Sequence, residues 1–444
     1  MSNASFRQGL RLVSVVAAAV ALVSSSAVAG PRPGARRAMN LFSGFLGRQN
    51  ANRWDCGLDA NGHVCVDPNG STTVGGGFWP KGTPDQYVFG SGLQVSGIIG
   101  GTKTAQFSWP GDTTAAFFED PSGTHENGQS LTGIWNSGNA TDLANWPRDA
   151  YVRDPALYAP GLIGLKAASQ MDTWVRYWDG SPSKNAGRPH PLGILVDERG
   201  LSRNFPSGNQ DVVYFIYTFT NVTAKDPAVY AGRPDQDSLV AWGSRFQAAN
   251  EDAFGVQIPD TGYEIDNAFA AFAMDADVSD QAKQNFTTAF LPFNMGIAFK
   301  SNWFAPRFIY PSTIFAPPFA PTVGEVGVKY LKSPLVDPAD PSKGEIGLVL
   351  YSGTVNSGAF GDAANAAQVY RYMNGDLRAS GGDAACNYPR AAAQKPGDVH
   401  ICYIPTTPDD IRFFQSSGPF TLKPGKTQTI VVAYIAAAPV ETPF

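Results

Sequence analysis

Cysteine, histidine and charge are all scarce in this chain of 444 residues, which has four cysteines, four histidines and 16% charged side chains. The histidines, His63, His125, His190 and His400, stand in turn-like or proline-flanked surroundings. The cysteine spacings lack the Cys-x-x-Cys geometry of a zinc site, and these histidine settings give little support to a histidine-activated nucleophile. His125-Glu126 lacks the second histidine of a zinc-protease helix, and there is no Gly-x-Ser-x-Gly elbow, phosphate loop or dinucleotide fingerprint. The formal net charge of −5 argues against nucleic acid or an anionic membrane as the main partner. Beyond residue 23 no apolar run approaches the roughly 20 residues that a bilayer crossing needs. No internal repeat is visible, which disfavours propellers and solenoids.

What the chain does have is 12% aromatic residues with 47 Gly and 34 Pro, a mixture that suits short strands and frequent turns better than helical bundles. The organising stretch is Asp211-Val-Val-Tyr-Phe-Ile-Tyr-Thr-Phe-Thr-Asn-Val-Thr223. Alternation puts Val213, Phe215, Tyr217 and Phe219 on one face and Val212, Tyr214 and Ile216 on the other, the pattern of a central strand. A second apolar run, residues 418–435, reads as strand, Pro424-Gly425 turn, strand. The expected fold is therefore mainly β, an immunoglobulin-like or β-sandwich core, composite with a long inserted segment and with few short helices.

The expected organisation follows the chain. Residues 1–29 read as a signal peptide: Arg7 and Arg11 precede an apolar run from Leu12 to Val23, and Ala27-Val28-Ala29 offers a small-x-small cleavage site. Residues 30–50 read as a flexible leader and 51–225 as a sandwich region. Residues 226–415 read as an inserted mixed region and 416–444 as the closing hairpin. Two tandem domains are the rival arrangement. Within the insert one helix is expected near 362–373, capped by Asp362 and stopped by Asn374-Gly375, with a shorter one over 279–286.

Cys56 and Cys65 bracket one loop and Cys386 and Cys402 another, so two local disulfides are expected, as suits an exported chain. Chemistry is harder to find. Asp260, Glu264 and Asp266 precede Asp275-Ala-Asp277-Val-Ser-Asp280, and Asp275, Asp277 and Asp280 form a candidate calcium loop without EF-hand spacing. The alternative is that Asp277, Ser279 or Asp280 caps a short helix while the others face water. Glu119-Asp120 and Asp197-Glu198 can be nominated as glycoside-hydrolase carboxylates, but neighbours on a strand face opposite ways. Trp174 and Trp178, four apart in a strand, share a face and are candidates for glycan stacking, with core packing the commoner use.

The segment Asp409-Asp-Ile-Arg-Phe-Phe-Gln-Ser-Ser-Gly-Pro-Phe-Thr-Leu-Lys-Pro-Gly-Lys-Thr-Gln-Thr-Ile-Val-Val-Ala-Tyr434 resembles the closing segment of uncharacterised secreted proteins of Gemmatimonas-like and Bacteroidetes-like bacteria. Pro191-Leu-Gly193, Asn209-x-Asp211, Asp275-x-Asp277 and Tyr370-x-Tyr-Met-x-Gly375 agree with that resemblance. It implies an extracellular or cell-surface β-rich protein. The functional expectation is an exported, non-catalytic structural or binding protein with a glycan or surface matrix as partner. The alternatives are a secreted carbohydrate-active enzyme and a calcium-dependent adhesin.

Overall fold

The strand built on residues 211–223 forms as its alternation predicts, and it lies inside a sheet whose next strand comes from the far end of the chain. This strand, Val212–Asn221, pairs antiparallel with Thr427–Ala437, Phe215 opposite Val432 and Tyr217 opposite Ile430. The computed structural model describes residues 46–67, 75–83, 85–107, 118–119, 133–144, 146, 167–180, 191–278, 282–300, 324–358, 360–363, 365–375 and 400–438. These residues fall in one compact unit, Leu41–Phe444.

Nineteen strands are described. The first four, β1 (Leu46–Gln49), β2 (Asp55–Asp59), β3 (Gly77–Phe78) and β4 (Gln86–Val88), make a small sheet. A six-stranded sheet contains β5 (Gly90–Ile99), β6 (Thr102–Phe107), β12 (Ile265–Ala276), β16 (Leu350–Val355), β17 (His400–Tyr403) and β18 (Ile411–Leu422), in the order β17-β16-β18-β12-β5-β6. The third sheet is built from β7 (Phe118–Glu119), β8 (Trp135–Asn136), β9 (Met171–Trp178), β10 (Ile194–Ser202), β11 (Val212–Asn221), β13 (Asn285–Phe290), β14 (Met295–Lys300), β15 (Glu325–Lys332) and β19 (Thr427–Ala437). Its order is β13-β14-β15-β19-β11-β10-β9-β7, with β8 also paired to β9.

The six- and nine-stranded sheets bury a shared apolar interior, so the chain is a β-sandwich. Val213, Phe215, Tyr217 and Phe219 from β11 and Ile430, Val432 and Tyr434 from β19 meet Phe272 and Met274 of β12 and Phe413 of β18 in one core. Ring contacts bridge the layers: Phe272 packs edge-on against Tyr434 with centroids 5.4 Å apart, and Tyr217 lies 6.0 Å from Phe272. The small sheet is tied to the start of β11 by several contacts, among them Asn52 Nδ2 donating to Val212 O at 2.7 Å and a set that converges on Asp211. Asp211 pairs with Arg53 at 3.0 Å, and its backbone and side-chain oxygens accept from the indoles of Trp54 and Trp79, each at 2.9 Å.

Three helices are described, α1 (Ala140–Ala144), α2 (Gln236–Phe254) and α3 (Ala366–Asn374). Helix α2 covers the outer face of the nine-stranded sheet, where Leu239, Trp242 and Phe246 pack on Trp178, Leu195 and Val222. It comes close enough that a Cβ on Gly243 would fall 1.5 Å from the Ala224 carbonyl oxygen. Helix α3 covers the opposite side of the six-stranded sheet, Tyr372 against Phe414 and Tyr370 against Phe269. No helix among the described residues is long and apolar enough to cross a membrane.

Several expectations are corrected. Residues 226–415 are not an insert beside the core, because they supply β12 to the middle of one sheet and β14 and β15 to the other. Residues 418–435 are not a hairpin. β18 pairs with β12 and β16 while β19 pairs with β11 and β15, so the Pro424-Gly425 turn carries the chain across the sandwich. The leader gives up Leu46–Gln49 to β1, which pairs with β2. The helix expected over 279–286 is a 3-10 turn, Ala282–Gln284, followed by the strand Asn285–Phe290. The helix expected near 362–373 starts later: Asn365 caps it by accepting from the Gln368 amide, and Gly375 ends it at a left-handed φ of 77°. Asp362 is drawn instead to Arg412.

Candidate cation site

The acidic residues around Asp275 are brought together with partners 135 residues away. In β12 and β18, Asp275 lies directly across from Arg412, and Ala276 across from Ile411. The same register carried one step further sets Asp277 across from Asp410. Side chains two apart on a strand share a face, so Asp275, Asp277, Asp410 and Arg412 gather on one face at the end of the sheet. One carboxylate oxygen from each of Asp275, Asp277 and Asp410 lies within 4.8 Å of the others.

Arg412 organises this cluster. Nη2 lies 3.0 Å from Asp275 Oδ2, Nη1 bonds to Asp410 Oδ1, and Nε lies 2.8 Å from Asp362 Oδ1, a charge contact rather than an aligned hydrogen bond. Gln86 Nε2 donates to Asp277 Oδ2 at 3.0 Å and Asn356 Nδ2 donates to Asp410 Oδ2 at 2.8 Å. Burial pushes Asp275 well above the ordinary carboxylate range despite Arg412. Asp277 is pushed up to about 6, mainly by burial and then by Asp410. Both shifts have the same origin, desolvated like charges held close together. Three oxygen donors without sulfur or imidazole suit a hard cation. Of the expected calcium residues, Asp275 and Asp277 are therefore brought together, Asp280 lies outside the described residues, and Asp410 was missed. The alternation Asp410-Ile-Arg412 was visible in the sequence, but only strand register shows what it faces.

A second polar cluster is sealed in the core. Glu198 points inward from β10, opposite Tyr217 in the ladder, and accepts from Tyr177 Oη at 3.1 Å. Its carboxyl is pushed up to about 8, chiefly by burial and also by the nearby charge of Asp59. Over it folds the loop between β2 and Cys65. Asp59 Oδ1 accepts from the amides of Asn61 and His63, Asp59 Oδ2 bonds His63 Nδ1, and Gly62 sits against the Tyr177 ring where a Cβ would come within 2.2 Å.

The disulfide Cys56–Cys65 clamps this loop, as the sequence led us to expect. Cys402 is also disulfide-bonded, and Cys386 lies outside the described residues. The Cys56–Cys65 bridge spans nine positions, so replacing both cysteines with serine is expected to lower stability by roughly 2–3 kcal/mol, the loop-closure term for a ring of this size. Urea denaturation at pH 7 measures it, and unchanged stability would mean that the Asp59 hydrogen bonds hold the loop unaided.

The other nominated residues are structural. Asp197 faces outward to Arg176, with Nε 2.7 Å from Oδ1, while its neighbour Glu198 faces the core, so the two cannot flank one bond. Glu119 ends the short β7 and Asp120 lies outside the described residues. Trp174 and Trp178 do share a face, yet they are 1% and 4% exposed and offer no platform to a sugar. Trp174 packs with Trp135 and Trp146, and Trp178 lies edge-on to Trp242 at 5.1 Å. All seven described tryptophans are buried; Trp54 and Trp79 belong to the main core, and the sheet face that carries Trp174 and Trp178 lies under further layers of the chain. No protein-family model matches the chain, and no curated protein is significantly similar to it.

Proposed function

We propose that this chain is an exported, non-catalytic structural or binding protein of the cell surface or extracellular space, built on an immunoglobulin-like, disulfide-clamped sandwich. The observation that carries the reading is how the described buried charges are used. Arg176 is engaged with Asp197, Arg199 with Asp172, and Arg412 with Asp275, each pair joining adjacent strands. Asp179 accepts from the backbone amides of Leu192, Gly193 and Ile194, so it pins a strand entrance. Groups committed in this way fix register and strand pairing, and none of these ion-paired or amide-bound carboxylates is held free as an acid or base for bond cleavage. The signal-peptide pattern of residues 1–29 and the resemblance of residues 409–434 to secreted β-rich proteins support the compartment.

The partner is a glycan or surface matrix, met by the sandwich surface rather than by Trp174 or Trp178. The purified protein is tested against a panel of matrix polysaccharides for retention and for released sugar. Retention without release is the expected result. Release of reducing ends that is lost in Glu198→Gln would overturn the reading in favour of a glycoside hydrolase.

A further inference from the structure

Among the described residues, the end of β12 and the start of β18 carry more negative charge than the one cation there, Arg412, can offset. Four carboxylates, those of Asp275, Asp277, Asp362 and Asp410, surround the single guanidinium of Arg412 or one another. Like charges facing each other across strands are destabilising unless something stands between them. Arg412 cannot be that group for the whole cluster, because its nitrogens are directed to Asp275, Asp362 and Asp410 and none is paired with Asp277.

The oxygens left over point to what is needed. Asp275 Oδ2 is taken by Arg412, Asp277 Oδ2 by Gln86 and Asp410 Oδ2 by Asn356. Asp275 Oδ1 and Asp277 Oδ1 are both buried and have no hydrogen-bond partner among the described residues. Asp275 is 2% exposed, so its free oxygen is a bare lone pair in a dry, negative setting, where an unmatched charge is strongly unfavourable. This is a second observation, separate from the acidity of the cluster, and it calls for a positively charged ligand.

We infer that Asp275, Asp277 and Asp410 bind one calcium ion, which joins the end of β12 to the start of β18. The donor set is oxygen only, which suits a hard cation and disfavours zinc or copper. The donors are spread over two strands, held by Gln86, Asn356 and Arg412, and two of them are already dehydrated by burial. Calcium accepts such an irregular shell and completes it with water, whereas magnesium demands near-octahedral geometry and gives up its water reluctantly. The ion turns a repulsive corner of the sheet into a cross-link between segments about 135 positions apart in sequence.

The test uses the whole purified protein, stripped with chelator and titrated with calcium chloride. Isothermal titration should show one site per chain with calcium tighter than magnesium. The melting temperature should climb by about 2 °C per tenfold rise in free calcium above the dissociation constant. Asp277→Asn should lose both responses, while Asp337→Asn, which removes a surface acid paired with Lys343, should keep them. If Asp277→Asn does not fold, Asp277→Glu keeps the charge, displaces the oxygen, and should weaken binding at least tenfold. Absence of any heat or melting shift in the unsubstituted protein up to about 10 mM calcium, roughly tenfold above the weak limit of extracellular modules, would overturn the site. So would an undiminished calcium response in Asp277→Asn or Asp277→Glu. Polysaccharide retention is a separate readout, so the cation site and the binding function can fail independently.

Discussion

Raising the pH from 5 to 8 lowers the stability of the unsubstituted protein relative to Glu198→Gln by on the order of 1.4 kcal/mol per pH unit. The sign follows from the direction of the shift. Glu198 moves from 4.5 to about 8 on folding because the core desolvates it. Between those values the folded chain keeps the proton and the unfolded chain has released it, so unfolding is favoured increasingly as pH rises. Below 4.5 both states are protonated and the difference vanishes; above about 8 both are ionised and the full penalty of a buried carboxylate is in place. Glutamine has nearly the same shape, can still accept from Tyr177, and does not titrate. Urea denaturation of the two proteins at intervals across this range should give curves that diverge steadily. Parallel curves would show that Glu198 is not sealed from water by the Asp59–His63 loop.

Phe272→Ala is expected to lower stability by about 3–5 kcal/mol, as for other large aromatic truncations in packed cores. Phe272 is fully buried on β12 and reaches across the sandwich to Tyr217 of β11 and Tyr434 of β19. Its removal deletes contacts between the layers rather than within one of them. Far-UV circular dichroism reports the sheets, and tryptophan fluorescence reports the core through Trp54 and Trp79 together with the outer layer around Trp178 and Trp242. Both should move to lower urea together, with the slope of the transition unchanged. A loss under 1 kcal/mol, or two separated transitions, would contradict a single cooperative body.

How far the sequence could be read depended on the range of the information. The strands β9, β11, β18 and β19 were legible because each carries its own alternating pattern or apolar run, and β11 showed its inward face residue by residue. Helix α2 was missed although Leu239, Trp242 and Phe246 recur at helical spacing and Gly255 supplies the left-handed stop. The buried stripe continues through the polar Gln247 and Asn250, whose amides bond to the backbone at Thr223, Pro259 and Gly180, and the helix holds Gly243 where it touches another segment. Those choices serve close docking and blur the pattern. The cation site was half legible for a related reason. Asp275 and Asp277 are neighbours in sequence, whereas Asp410 and Arg412 join them only through the register of β12 with β18. The tryptophans misled because alternation tells which side of a strand a residue faces and not what lies over that side.

The placement of β18 and β19 bears on how the molecule comes into being. Both strands sit in the interior of their sheets, β18 between β16 and β12 and β19 between β15 and β11. During synthesis or vectorial transport, β11, β12, β15 and β16 emerge with edges whose partners are still to come. Four partial sheets, two in each layer, must therefore wait, incompletely paired and prone to associate with other chains, until residues 411–437 arrive and zip both layers at once. Maturation should thus be a late, abrupt event, and chains interrupted before that segment are the ones a chaperone or protease would meet.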